Sequence, residues 1–180
     1  MVTPHTSIKM DTSDPLETDS IHKLQNIWNL WAHLPQDLDW TNKSYKLVYK
    51  FKTLEDSIVI TESTSDPLIK GCMLFVMKDG ISPVWEDPKN RNGGCFSYKI
   101  SNKGVCEVWR ELNYVLAGGS ISNSSSFVSC VTGITISPKK NFCILKIWLN
   151  TTLYQDPGII VTIPNLTKHG AQFRKHGMDG

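Results

Sequence analysis

Two tryptophans of this chain lie in polar segments rather than in apolar runs. Trp40 lies within the polar stretch 36–42, and Trp85 lies in a segment bounded by Pro83 and Pro88. Loops run mostly over the protein surface, so both indoles are candidates for stacking against a ligand. Tryptophan is more often a core residue, because its ring buries a large area. Position alone therefore leaves both interpretations open.

A carboxylate follows the second indole directly, at Glu86. A guanine base methylated at N7 carries a positive charge, and a cation over an indole face gains roughly 0.5–2 kcal/mol. Stacking of a base on an aromatic ring contributes roughly 1–3 kcal/mol. The Glu86 carboxylate could accept two hydrogen bonds from the N1–H and N2–H₂ edge of guanine, which adenine lacks. The three residues together suit a methylated guanine, although Glu86 alone is typical of a solvated loop.

Basic residues elsewhere could neutralise phosphates on such a ligand. Lys139 and Lys140 stand in a predicted hairpin loop, and Lys168 stands in the C-terminal part of the chain. Each of them alone is more often a solvated surface charge. The net charge is only +2, which argues against a protein that coats nucleic acid through bulk charge. Any nucleic-acid contact must therefore be local.

The elements that must position these side chains follow an alternating, strand-like pattern over most of the chain. We predict strands over residues 28–34, 47–51, 73–77, 96–100, 127–136, 142–149 and 159–163. We predict helices over residues 54–62 and 105–116, the second one ended by Gly118-Gly119. The sum is an α+β fold, a curved and mostly antiparallel sheet of about seven or eight strands. Helices on its convex face leave the concave face for a ligand.

Length and composition fit one domain with a single core, since 40% of the 180 residues are apolar. We predict a disordered tail over residues 1–20, the domain over residues 21–168 and a flexible segment over residues 169–180. The five cysteines form no CxxC pair, and the N-terminus has no apolar run. These features indicate reduced thiols in a cytoplasmic protein without a metal site. No segment is long and apolar enough to span a membrane.

Three segments resemble the eukaryotic translation initiation factor 4E family of mRNA cap-binding proteins. They are His22 to Trp31, Phe51 to Asp56 and Lys78 to Gly94, within a resemblance that covers about residues 22–165. The resemblance implies a cupped sheet of eight strands with Trp40 and Trp85 as the two stacking indoles. It also implies that Glu86 holds the guanine edge and that Trp148 contacts the N7-methyl group.

The chain departs from the family pattern in its phosphate and partner residues. Cys95 and Ser137 stand where the family has basic residues, so Lys139 and Lys140 are the candidates to compensate. Family members bind a helical peptide from initiation factor 4G, or from repressors, on the convex face. The resemblance assigns that face here to His22, Leu54, Ile58, Trp109, Arg110 and Tyr114. Arg110 and Tyr114 replace apolar residues, and a charge weakens helix-in-groove docking.

The segment after Trp148 is too short for a helix that the family places there, so we expect a divergent, C-terminally shortened member. Three functions remain open. The first is a monomeric cap-binding module that selects mRNA for translation with a 4G-like scaffold, and the second is a cap-binding repressor that recruits no scaffold. The third is an enzyme acting on caps, which the sequence disfavours because no nucleophile with a paired base stands out. No cofactor is expected.

Overall fold

A single seven-stranded antiparallel sheet organises the computed structural model, which describes residues 21–177. The strands stand in the order β2-β1-β3-β5-β6-β4-β7. Every neighbouring pair in the sheet is antiparallel. Their bounds are β1 Lys23–His33, β2 Tyr45–Thr53, β3 Met73–Lys78, β4 Gly94–Ser101, β5 Val131–Pro138, β6 Phe142–Leu149 and β7 Gln172–Lys175. The predicted α+β class with a mostly antiparallel sheet is confirmed.

Both predicted helices are present, with two short ones that sequence patterns missed. The helices are α1 Leu54–Ser63, α2 Asp66–Gly71, α3 Val105–Ala117 and α4 Ser125–Cys130, and short 3-10 turns cover Pro157–Ile159 and Lys168–Gly170. The first helix begins where the Thr53 side chain accepts a hydrogen bond from the Asp56 N–H at 3.1 Å. The third ends before Gly119, whose φ of 68° is the left-handed conformation that glycine adopts at helix ends.

The sheet presents different cores on its two faces. The larger core lies between the sheet and the helices and includes Trp28, Phe51 and Leu112. A smaller aromatic cluster lies on the opposite, concave face and is formed by Phe75, Met77, Ile81, Cys95 and Trp148. The third strand contributes to both, since Leu74 and Val76 join the larger core. This is why its sequence is apolar throughout instead of alternating with polar residues.

Two of the predicted strands are wrong in extent or in kind. The strand predicted over residues 127–136 starts only at Val131, because α4 occupies the preceding residues and Ser124 caps it by accepting from the Phe127 N–H. The strand predicted over residues 159–163 is a 3-10 turn followed by irregular chain. Ile160 and Ile163 are nevertheless buried in the larger core, so their alternation reflects packing of a loop.

The domain boundary predicted at residue 168 falls inside the folded region. β7 follows that residue and pairs with β4 in the register Gly94↔Lys175 to Ser97↔Gln172. β7 has four residues, mostly polar and exposed, so no pattern could reveal it before its partner was known. Residues 1–20, predicted as a tail, lie outside the described region, as do residues 178–180. Between residues 21 and 177, no helix has both the length and the hydrophobicity to cross a bilayer.

Candidate functional site

Trp40 lies in the loop between β1 and β2, where its indole is 60% exposed. One face of the ring is stacked on His33, with centroids 4.2 Å apart and planes within 6° of parallel. His33 is the last residue of β1 and is buried, and its Nε2 lies 2.8 Å from the Asp39 carbonyl oxygen. The strand thus supports one face of the Trp40 ring and leaves a large part of the indole open to a ligand.

The same loop is stiffened by a turn around Asp39. The Asp39 carboxylate accepts hydrogen bonds from the Thr41 N–H at 2.8 Å and from the Thr41 hydroxyl at 2.9 Å. These bonds to Thr41, the backbone one first, lower the pKa of Asp39. Short polar side chains that bond the backbone two residues on are typical of turns. The polar residues around Trp40 therefore shape the loop that holds it.

Trp85 lies in the loop between β3 and β4, and its indole is 45% exposed. Asp87 accepts hydrogen bonds from the N–H groups of Ser82 and Lys89 at 2.8 and 2.9 Å. The fully buried Asn90 donates from its side chain to the Val84 carbonyl at 2.9 Å. These bonds organise the loop around Trp85.

The side chain of Glu86, next to Trp85 in the same loop, is exposed. Burial, and secondarily the negative charge of Glu86, raise the pKa of the Tyr45 hydroxyl. Tyr45 in turn packs edge-on against His33, with ring centroids 5.2 Å apart. Tyr45 packs against the cluster on the concave face, contacts the ring that supports Trp40 and is within range of the charge beside Trp85, so the two loops lie on the same side of the sheet.

Trp148 lies on the concave face, as the resemblance requires, but it is only 7% exposed. The imidazole of His176 packs against its indole, with centroids 4.8 Å apart and an interplanar angle of 35°. Sequence reasoning missed His176, which belongs to a polar segment without periodicity. Its position depends on the pairing of β7 with β4, since the His176 N–H donates to the Gly93 carbonyl at 3.1 Å just beyond that ladder.

The basic residues predicted to bind phosphates are not brought together. Lys139 and Lys140 are exposed in the loop between β5 and β6, as predicted. That loop lies at the Phe142 end of β6, about 20 Å from Trp148 at roughly 3.3 Å per residue. Lys168 lines a cavity of about 400 Å³ with Tyr98, whose side chain belongs to the larger core. The structure therefore places Lys168 on the helix-covered side of the sheet.

Lys146 is a basic residue that the sequence analysis did not assign to the phosphates. It lies two residues before Trp148 on β6 and hence on the same face, at a spacing of about 7 Å. Its partners across the neighbouring strands are Ser97 and Thr135. Burial, and then the charge of Lys146, lower the pKa of His176 to about 4. This lysine is thus close to the ring that covers Trp148.

The convex face differs from the expected partner surface in one residue. Trp109 is only 1% exposed and lies within the larger core, so its assignment to that surface is wrong. It falls on the inner stripe of α3, where spacing of three and four residues directs side chains toward the sheet. Leu54 and Ile58 are exposed on α1, as the assignment requires. His22 lies beside them and pairs with Glu55 at 2.7 Å.

The remaining two residues of that surface tie helices together. The Arg110 guanidinium pairs with Asp66 at 2.7 Å, which lowers the pKa of that carboxyl. The Tyr114 hydroxyl donates to Glu62, and burial together with this bond raises the pKa of Tyr114 to about 12. Both side chains reach from α3 to the segment formed by α1 and α2.

The fold is a curved antiparallel sheet with helices on one face. The opposite, concave face carries aromatic residues and two loops with exposed indoles. These features define an α+β domain with an open aromatic face. The family described as Eukaryotic initiation factor 4E matches residues 23–175. The chain belongs to the eukaryotic initiation factor 4E family.

Individual relatives agree with this assignment. The chain is 31% identical to "Eukaryotic translation initiation factor 4E-1A" of Danio rerio over 153 residues, covering 82% of this chain and 69% of that protein. It is 28% identical to the "Eukaryotic translation initiation factor 4E homolog" of Acanthamoeba polyphaga mimivirus, covering 64% of this chain and 50% of the viral protein. The chain thus spans between half and about two thirds of the length of these relatives.

Solved structures of similar proteins share the fold. Schistosome eIF4E complexed with m7GpppG and 4E-BP superposes with a TM-score of 0.66 at 29% identity, covering 74% of each chain. Ascaris suum eIF4E-3 with m7G cap superposes with a TM-score of 0.64 at 25% identity, covering 74% of this chain and 76% of the other.

Proposed function

We propose that this protein binds the 7-methylguanosine cap of mRNA and acts in translation initiation. The methylated base stacks between Trp40 and Trp85, while Glu86 accepts hydrogen bonds from the guanine edge. The observation that carries the proposal is a pair of exposed indoles on two loops on the same side of the sheet, one of them supported from behind by His33. The complexes of family members with cap analogues support the same ligand.

The charge of the ligand explains why indoles suit this site. A cation over an indole face is stabilised by roughly 0.5–2 kcal/mol. The exposed Glu86 carboxylate adds a negative charge beside the base and a pair of acceptors for its edge. The site therefore favours a methylated guanine over an unmethylated one through charge and over adenine through hydrogen bonding.

Phosphates of the cap then extend along β6 toward the hairpin that carries Lys139 and Lys140. Lys146 lies on the concave face between Trp148 and that hairpin, and it is the nearest of the three to the base. We infer that Lys146 neutralises the phosphate closest to the base and that the hairpin lysines neutralise the more distant charge. Lys168, on the other side of the sheet, is left out of this path.

Alanine variants of the two indoles test the sandwich. Loss of one stacking face removes roughly 1–3 kcal/mol, so Trp40→Ala and Trp85→Ala should each weaken cap-analogue binding by about fivefold to a hundredfold. Leu38→Ala is a matched control, since Leu38 is an exposed apolar residue of the same loop as Trp40. Affinities come from isothermal titration with 7-methyl-GTP. Equal affinities of the control and both tryptophan variants would exclude the sandwich.

A cap-binding repressor that recruits no scaffold is the second candidate function, and the convex face favours it. Of the residues assigned to that face, Arg110 and Tyr114 form polar links, whereas Leu54 and Ile58 are apolar and exposed. Helix-in-groove binding requires an apolar strip, which these links interrupt. Tethering the protein to a reporter mRNA separates the two roles, because an initiation factor activates the reporter and a repressor silences it.

The partner face gives its own prediction. Arg110→Leu removes the charge and restores an apolar residue, so it should strengthen binding of a 4G-type helical peptide at least several-fold. Lys103→Leu, an exposed basic residue just before the same helix, is the control for a general gain in hydrophobicity. A pull-down in which wild type binds the peptide as strongly as Arg110→Leu would contradict the altered-face account.

The proposed role is binding, in the cytoplasm, without catalysis. A cap analogue incubated with the protein should be recovered unchanged by chromatography. Appearance of a hydrolysed product that depends on protein concentration would overturn this part of the proposal.

A further inference from the structure

The chain after β7 crosses the aromatic concave face. In the sheet register Cys95 lies opposite both Trp148 and Arg174, so these three residues stand side by side on neighbouring strands. His176 follows Arg174 by two residues and extends the same face. The hydrogen bond from the His176 N–H to the Gly93 carbonyl fixes the backbone at that point. Strand pairing thus delivers the imidazole to the Trp148 indole.

The His176 imidazole packs on Trp148, the indole that the resemblance assigns to the N7-methyl group. Trp148 is 7% exposed and its ring lies 4.8 Å from that of His176. An indole packed in this way, with Phe75 and Met77 in the same cluster, offers little surface to a ligand. His176 itself is only half-buried, so it is the more exposed residue of this ring pair.

Gly177 brings the same segment against the second indole. A Cβ built on Gly177 would lie 2.9 Å from Cζ3 of Trp85, closer than real side chains approach. The φ of Gly177 is +74°, a conformation that favours glycine. Residues 176 and 177 therefore connect Trp148 with Trp85 across the site.

We propose that His176 and Gly177 form a wall of the base site, with the His176 imidazole as the surface that meets the N7-methyl group. This inference rests on the proposed function and adds a residue that determines its specificity. The Trp148 indole then acts as a positioning group beneath His176.

The imidazole suits a cationic base because it is neutral there. Burial, and then the charge of Lys146, lower the pKa of His176 to about 4, so the ring carries no charge at neutral pH. Its Nε2 is buried without a hydrogen-bond partner within residues 21–177, so protonation there would bury an unpaired charge. A permanent positive charge at this position would repel methylated guanine but not the neutral base.

Two substitutions at His176 separate charge from shape. His176→Gln keeps a neutral polar side chain, and His176→Lys places a cation beside the N7-methyl group. Affinities for 7-methyl-GTP and GTP are measured by titration at neutral pH, and their ratio is the readout. The ratio should fall about tenfold or more in His176→Lys, through weaker binding of the methylated analogue, and stay within about threefold of wild type in His176→Gln.

Gln172→Lys is the matched control, since it adds the same charge to β7 at an exposed residue four positions away. It should change the two affinities in the same direction and leave their ratio within about threefold. A ratio in His176→Lys as high as in wild type would overturn the inference. A wild-type protein without preference for the methylated analogue would overturn the proposed function itself.

Gly177→Val provides a second test that does not depend on charge. A branched side chain would collide with Trp85 and narrow the slot, so affinity for both analogues should fall several-fold with little change in their ratio. Unchanged affinity for both analogues would show that residue 177 does not border the site.

Discussion

At the scale of single residues, the position of the Trp40 indole depends on the His33 ring stacked against it. His33 is buried, is fixed by the Asp39 carbonyl and stacks on Trp40 in nearly parallel planes. The exposed indole would otherwise rotate freely about its side-chain bonds. Preorganised contact surfaces lower the entropy that binding must offset. His33 is therefore a positioning residue for Trp40.

The support from His33 gives a prediction at the residue scale. An aromatic pair of this kind is worth roughly 0.5–1.5 kcal/mol, so His33→Ala should weaken 7-methyl-GTP binding about two- to tenfold. His33→Phe keeps a stacked ring and should stay within about twofold of wild type. Fluorescence titration of both variants measures the effect. Identical affinity of His33→Ala and wild type would show that Trp40 needs no support.

For single residues, the sequence predicted the exposed positions of the proposed site better than the buried ones. Trp40, Trp85 and Glu86 stand in polar loops, and the structure leaves all three exposed. Trp109 was assigned to the partner face by resemblance and is buried, because helical periodicity turns it inward. His176 escaped notice because only the long-range pairing of β7 with β4 brings it to Trp148.

At the scale of elements, the loop between β3 and β4 carries two residues of the proposed site, Trp85 and Glu86. The side chain of the buried Asn90 bridges the Ser82 and Val84 carbonyls, and Asp87 bonds two N–H groups of the same loop. A buried carbonyl that loses its partner costs roughly 1–3 kcal/mol. The orientation of Trp85 and Glu86 therefore depends on a side chain that never meets the ligand.

Asn90→Ala tests this dependence at the scale of the element. The variant should increase hydrogen exchange of the amides between residues 82 and 92 and weaken 7-methyl-GTP binding several-fold. Asn92→Ala removes an exposed asparagine of the same loop and should leave both quantities near wild type. Hydrogen-exchange mass spectrometry supplies the first readout. Equal exchange in the two variants would contradict the bridging role of Asn90.

Helices and strands were predicted correctly where the local sequence has a clear periodicity or an end signal. The third helix was found because apolar residues recur at helical spacing and two glycines follow it. The fourth helix was taken for strand because six residues with Phe127 and Val128 resemble either element. β7 has almost no local signal, since an edge strand of four polar residues is defined by its neighbour.

At the scale of the whole molecule, His176 makes the free energy of unfolding depend on pH. The folded chain lowers the pKa of His176 to about 4, whereas an unfolded histidine titrates near 6.5. The unfolded state therefore binds a proton first as pH falls, and the free energy of unfolding declines between pH 6.5 and 4. Below about pH 4 both states are protonated and this loss is complete.

His176→Gln removes this contribution and should flatten the pH profile of stability. From pH 7 to pH 4.5, wild type should lose about 1–2 kcal/mol more than the variant, since solvent screens part of the effect. Paired carboxylates such as Asp66 and Asp79 also lose stabilisation in acid, but equally in both proteins. Urea unfolding at several pH values measures the difference. Parallel profiles would contradict the lowered pKa of His176.

The central claim is that two indoles hold a methylated, cationic guanine. Tryptophan fluorescence titration of the wild-type protein with 7-methyl-GTP and with GTP tests it most directly, because Trp40 and Trp85 report contact by quenching. We predict strong, saturable quenching by the methylated nucleotide and affinity for GTP at least about tenfold weaker. Equal quenching and equal affinity for the two nucleotides would contradict the account.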